Sequence, residues 1–289
     1  MGHENRKILR DRTFSRGEFL RLVGGGAIFS SVGLLAACGG ERGSTGAGES
    51  SEGRGEVGSA SGQGRLLARP RARASAPPAP PTGLRALELG RERDGLLYVP
   101  PTYEASRPAP LALTLHGAGG DARGGISPFL GLAEEAGLVL LAPESRGRTW
   151  DVLVGGYGPD VEFIDRALQR TFDRLAVDTG TLGIAGFSDG ASYALSLGLT
   201  NGDLFGHVIA FSPGFSAPQD RRGKPPVFVS HGTDDEVLPI DRTSRRIVPQ
   251  LERSGYRVRY EEFDGPHTVP EAVARDALRW FTSNGGRRP

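Results

Sequence analysis

Gly186-Phe187-Ser188-Asp189-Gly190 is a G-x-S-x-G sequence set between an apolar run at residues 182–185 and a helical pattern at 188–199. That context carries more than the five letters do. A serine on a sharp strand-to-helix turn takes a strained backbone conformation and projects its hydroxyl above the sheet edge. The residues two before and two after it crowd each other, which suits glycine at 186 and 190. The helix that starts there aims its first N–H groups at the reaction centre. A Gly-Ser turn without chemistry is the alternative, and the strand–turn–helix setting argues against it.

Outward from this turn, strand and helix signals alternate. Residues 84–89 and 96–99 read as a strand pair around the turn Arg93-Asp94-Gly95. Further strands are expected at 111–115, at 138–142 before Pro143, at 208–211, at 227–230 and, half-exposed, at 257–263. Helices are expected at 126–136, 160–175, 244–254 and 270–281. Val161, Ile164, Leu168, Phe172 and Leu175 recur three or four apart and mark one helical face. Pro270 suits the first turn of the last helix. Apolar strands alternating with amphipathic helices give an α/β fold, with a mostly parallel central sheet covered by helices on both faces. No insertion between the strands is long enough for a large lid domain.

This folded unit occupies 84–284, with 285–289 as a tail. The other residues read differently. From 39 to 83 there is no aromatic residue, and Val57, Leu66 and Leu67 are the only larger aliphatics. Such a segment buries too little apolar surface to offset its chain entropy, so 38–83 is expected to be a disordered Gly/Ser/Pro/Arg-rich tether. Before it, Arg6, Lys7, Arg10, Arg12, Arg16 and Arg21 precede an uncharged apolar run from 22 to 37. Those are the n- and h-regions of an export signal over 1–37. Across the 289 residues, 35 Lys+Arg against 34 Asp+Glu leave a formal charge of +1. That balance speaks against a nucleic-acid partner held by a basic field. A single cysteine, Cys38, excludes an internal disulfide framework and a Cys-rich zinc site.

Three resemblances follow from these residues. Leu35-Ala36-Ala37-Cys38-Gly39 resembles the lipobox of bacterial lipoproteins, implying a lipid anchor on Cys38 and an exported protein facing outside the cytoplasm. Ser15-Arg16-Gly17-Glu18-Phe19-Leu20-Arg21 is similar to the twin-arginine export motif, but Gly17 replaces its second arginine, leaving Tat and Sec export both open. The body of the chain resembles the α/β-hydrolase superfamily of serine esterases. Within it, the phospholipase/carboxylesterase group and the polyhydroxybutyrate-depolymerase and feruloyl-esterase-like group are the most similar. Gly158-Pro159-Asp160-Val161-Glu162-Phe163-Ile164-Asp165 resembles a helix start found in both.

The resemblance implies a triad in the chain order Ser, acid, His. Ser188 is the nucleophile. His267, in Asp264-Gly265-Pro266-His267-Thr268 between the last strand and the last helix, stands where the fold places its base. His3 lies in the signal, His116 precedes Ser188, His207 opens an apolar strand and His231 precedes the acid. His231-Gly232-Thr233-Asp234-Asp235-Glu236-Val237-Leu238-Pro239 is similar to the H-G-x-x-D-x-x-V-P stretch of carboxylesterases. That register makes Asp235 the acid, with Asp234 the competing neighbour and His231 a support for the loop. Leu115-His116-Gly117-Ala118-Gly119-Gly120 is similar to H-G-G-G and H-G-x-G oxyanion loops. The implied donors are the backbone N–H groups of Ala118 and Asp189. A phosphate loop fits poorly, since no G-K-[ST] follows.

The implied activity is two-step acyl transfer on a small-molecule, lipid or polymer ester, with no cofactor and no metal. Trp150, Tyr157 and Phe215 are pocket candidates, with ordinary packing as their alternative. Other readings are a non-catalytic lipoprotein on a hydrolase fold, against which all three triad members stand in order, and a serine peptidase, weakened by the lack of a cap domain. Dienelactone-type hydrolysis is disfavoured because position 188 is serine rather than cysteine.

Overall fold

The computed structural model describes residues 60–70, 81–90 and 92–283. The expected export signal, Cys38 and the C-terminal tail from 285 lie outside them. Eight strands form one sheet in the order β1-β2-β4-β3-β5-β6-β7-β8. They are β1 (Gly83–Ala86), β2 (Gly95–Val99), β3 (Ala109–Leu115), β4 (Val139–Pro143), β5 (Val177–Phe187), β6 (His207–Phe211), β7 (Val227–Gly232) and β8 (Val258–Phe263). β1 pairs with β2 and β2 with β4 antiparallel, and every other neighbouring pair is parallel.

The period-two alternation of the strands sorts their side chains onto two faces. Leu111, Leu113, Ile184, Val208 and Val229 join one buried cluster, while Ala112, Ala185, Ile209 and Phe228 join the other. The first face is covered by α3 (Pro159–Phe172), α4 (Asp189–Thr200) and α5 (Ser244–Arg253), and the second by α1 (Ala122–Ala133) and α6 (Glu271–Ser283). The short α2 (Asp151–Val154) lies in the connection from β4 to α3. This is the layered architecture expected from the sequence. Because the parallel strands share a direction, β3, β4, β5, β7 and β8 deliver their following loops to one edge of the sheet.

Part of the expected tether is structured. Residues 60–62 form a helical turn, and 63–70 lie along α3 and the end of α4. Leu66 is completely buried. Asn201 brackets it, its Oδ1 accepting Leu66 N–H at 3.0 Å and its Nδ2 donating to Gly64 O at 2.7 Å. Asp165 Oδ1 accepts the N–H groups of Leu67 and Ala68, and Arg65 donates twice to the Asp203 carboxylate. The expectation of disorder is therefore corrected over 60–70. Composition counted the few apolar residues but could not see the slot awaiting one of them.

Candidate active site

Ser188 sits between the end of β5 and the start of α4 with φ 57° and ψ −118°. A non-glycine residue holds such a conformation only where its surroundings fix it. Here Ser188 N–H donates to Phe211 O at 2.9 Å, and the flanking glycines let the chain segments touch. A Cβ on Gly186 would lie 2.2 Å from Gly190 O, and one on Gly190 would lie 2.2 Å from Leu115 O. The crowding expected at 186 and 190 thus also involves the strand before the oxyanion loop.

The loop after β8 brings His267 to this serine. Its Nε2 lies 2.9 Å from Ser188 Oγ and its Nδ1 lies 2.5 Å from Asp235 Oδ2. The loops after β7 and β8 lock together: Asp234 N–H donates to Gly265 O at 3.0 Å, and a Cβ on Gly232 would meet Gly265 O at 2.3 Å. It is the Asp235 carboxylate that meets the imidazole, while Asp234 contributes its backbone. Asp235 Oδ1 accepts from the N–H groups of Val237 and Leu238, and His231 Nε2 lies 3.1 Å from Oδ2. Burial pushes the Asp235 carboxyl up, but donors from His231, His267 and Leu238 outweigh it and hold it well below the usual carboxylate range. His231 is wholly buried, with Nδ1 2.7 Å from Ser244 Oγ and Nε2 2.8 Å from Leu238 O. It braces the acid loop. The Phe187 ring packs on the His267 imidazole, centroids 4.6 Å apart.

The 116–120 loop closes the other side of the serine. A Cβ on Gly117 would stand 3.4 Å from Ser188 Cβ. The N–H groups of Gly119 and Gly120 are engaged by Arg148 O at 2.7 Å and Gly117 O at 3.1 Å. Ala118 lies between Gly117, beside the serine, and these two anchored residues. Asp189 is the first residue of α4. His116 receives Ser145 N–H on Nε2 at 3.0 Å, so the ring proton sits on Nδ1, 2.7 Å from Gly117 O. Burial lowers its pKa and keeps it neutral. Arg93, which the sequence reading passed over as a turn residue, donates to Gly120 O at 2.9 Å and to Ser145 O. Only its place in a turn next to β2 hinted that it could reach this loop.

The three pocket candidates are buried, as their packing alternative has it. Trp150 is fully buried, stacked on Tyr193 with centroids 5.0 Å apart, and donates Nε1–H to His116 O at 2.9 Å. Tyr157 reaches down beside α4 to donate to Ala217 O, and Phe215 is also buried. Large aromatics near the sheet edge were drawn into the core because each buries a wide apolar surface.

A mostly parallel sheet with a strained serine after β5, and a histidine and carboxylate after β8 and β7, places this chain in the α/β-hydrolase fold. Comparisons with known proteins find likenesses to esterases. A family model described as phospholipase/carboxylesterase matches residues 161–280. The feruloyl esterase C of Emericella nidulans is 30% identical over 157 residues, covering 52% of this chain and 57% of that protein. A probable feruloyl esterase C of Aspergillus flavus is 28% identical over 169 residues, covering 56% and 62%. This chain thus spans about three fifths of the length of these curated relatives. A ferulic acid esterase structure from Anaeromyces mucronatus superposes with a TM-score of 0.54 at 16% identity, over 75% of this chain and 95% of that one. The expected resemblance to α/β-hydrolase serine esterases is borne out.

Proposed function

We propose that the protein hydrolyses carboxylic esters through an acyl-enzyme on Ser188. The observation that carries this is the unbroken relay from Ser188 Oγ to His267 Nε2 and from His267 Nδ1 to Asp235 Oδ2. As Oγ bonds to the ester carbonyl carbon, its proton passes to Nε2 and the carbonyl π electrons move onto oxygen. Asp235 stabilises the imidazolium and fixes the ring. The oxyanion is met by the N–H groups of Ala118 and Asp189. Collapse expels the alcohol, which takes the proton from His267. Water then attacks the acyl-enzyme by the reverse sequence. The protein should cleave short-chain p-nitrophenyl esters and be labelled by a fluorophosphonate. Ser188→Ala should lower turnover by at least about 10³-fold and abolish labelling. Unchanged hydrolysis by that variant would sink the assignment, whereas a wild-type protein that neither hydrolyses esters nor takes the label would leave the non-catalytic lipoprotein reading standing.

Hydroxycinnamoyl esters are the second substrate reading, favoured by the feruloyl esterase names of the curated relatives. A panel graded by acyl length and alcohol bulk, with methyl ferulate included, separates it from a short-acyl preference. We also infer an exported, lipid-anchored protein, supported by the lipobox-like sequence ending in Cys38. Cys38→Ser should move the protein from the membrane to the soluble fraction of a native host, and continued membrane retention would contradict the anchor.

A further inference from the structure

Arg148, Thr149 and Trp150 are consecutive, and each is fixed to a different part of the oxyanion site. Arg148 O accepts Gly119 N–H at 2.7 Å. Thr149 Oγ1 donates to Asp189 Oδ2 at 2.5 Å. Trp150 Nε1–H donates to His116 O at 2.9 Å. One tripeptide therefore spans both segments that carry the oxyanion donors, the 116–120 loop and the first turn of α4. Asp189 puts a carboxylate beside the candidate oxyanion site. It follows the nucleophile, is buried, and lies near enough to His267 for their charges to interact. Burial raises its carboxyl pKa, while the Thr149 hydroxyl and the His267 charge pull it down. A carboxylate free to turn toward the carbonyl oxygen would oppose the negative charge that the site must stabilise.

We propose that Thr149 is a positioning residue for acyl transfer, its hydroxyl tethering the Asp189 carboxylate so that the adjacent N–H stays aimed and the negative group stays off the developing oxyanion. This rests on the ester-hydrolase reading above. Thr149 also sets the distance between the two donors, because its neighbours hold the opposing loop.

The test compares the wild-type protein with Thr149→Val, Thr149→Ala, Thr149→Ser and the double variant Thr149→Val/Asp189→Asn. Readouts are kcat and KM on p-nitrophenyl acetate, the fluorophosphonate labelling rate and the melting temperature. Valine keeps the shape and removes the donor, so kcat and labelling rate should fall by about 10-fold while KM changes less than about twofold. That loss lies below the roughly 10²–10³-fold typical of removing a whole oxyanion donor. Alanine should behave likewise. Serine should restore most of the rate. The double variant should recover part of the valine loss, because an amide brings no charge to the oxyanion. Wild-type kcat in the valine and alanine variants, failure of serine to rescue, or a rate loss that tracks a lowered melting temperature would each overturn the proposal while wild-type turnover stands. A wild-type protein that neither hydrolyses the ester nor takes the label overturns this proposal and the ester-hydrolase reading together.

Discussion

Single residues at the site differ in how far the sequence exposed them. Ser188 was legible because two glycines and a strand–helix change surround it, and the structure gives those glycines a steric reason. Asp235 was harder, since Asp234 carries the same group one position earlier. What separates them is a turn that directs one carboxylate into the sheet edge and the other away, and composition does not encode that. His207, which opens an apolar strand, is 3% exposed, its ring edge-on to Trp280 and Phe281. Neither ring nitrogen meets a hydrogen-bond partner among the described residues. Burial, helped by the charge of Arg257, lowers its pKa to about 4. Between about 4 and the ordinary histidine value near 6.5, the unfolded chain therefore binds the proton that the folded chain refuses. Stability contributed by this site is complete above that window and declines as the pH falls through it. His207→Phe should flatten the slope of unfolding free energy against pH there by up to about 1.4 kcal/mol per pH unit. Urea titrations at pH 4.5, 5.5 and 7 would show it. An unchanged slope would mean that the ring is protonated in the folded state.

At the scale of elements, the existence and type of the long strands and helices were readable, whereas their lengths and the short α2 were not. β5 runs for 11 residues from Val177, although the apolar signal begins only at 182. Val177 pairs with Ala109 of β3, but the register then shifts and pairing resumes only at Leu182 opposite Leu111, so the polar Asp178-Thr179-Gly180-Thr181 forms an irregularity in the ladder. α4 shows the reverse case. All twelve of its residues are buried, so no amphipathic stripe marks it, only small and apolar residues all round. Its polar residues follow a four-residue period instead. The hydroxyls of Ser192, Ser196 and Thr200 donate to the carbonyls of Ser188, Ser192 and Ser196. Two of them also receive backbone donors, Gly214 N–H on Ser192 Oγ and Ala217 N–H on Ser196 Oγ, both at 2.9 Å. These hydroxyls hold the connection after β6 against α4. The periodicity was present in the sequence, but without the opposing loop nothing distinguished it from ordinary small-residue packing.

For the whole molecule, the informative disagreement is the segment at 60–70. It lies outside the hydrolase unit expected from 84 onward, yet its contacts continue inward. A Cβ on Gly64 would stand 2.9 Å from the Tyr157 ring, Tyr157 packs on Tyr193, and Tyr193 stacks on Trp150, whose indole holds the His116 carbonyl. An aromatic column thus runs from this strap to the base of the 116–120 loop. Its attachment combines one fully buried leucine with charge-assisted bonds to Asp203, whose carboxyl Arg65 holds down at about 2. Burial is the larger contribution: truncating a buried leucine typically costs about 2–5 kcal/mol, whereas a half-exposed ion pair contributes about 1 kcal/mol or less. In a domain of this size each kcal/mol corresponds to roughly 2–4 °C. A chain beginning at residue 81 should therefore melt at least about 5 °C below one beginning at residue 59, and Leu66→Ala in the longer chain should reproduce most of the difference. Arg65→Ala should lower the midpoint less than Leu66→Ala does. Equal melting temperatures for the two chain lengths in calorimetry would show that residues 60–70 ride on the domain without stabilising it. A larger effect of Arg65→Ala than of Leu66→Ala would reverse the ranking of charge and burial.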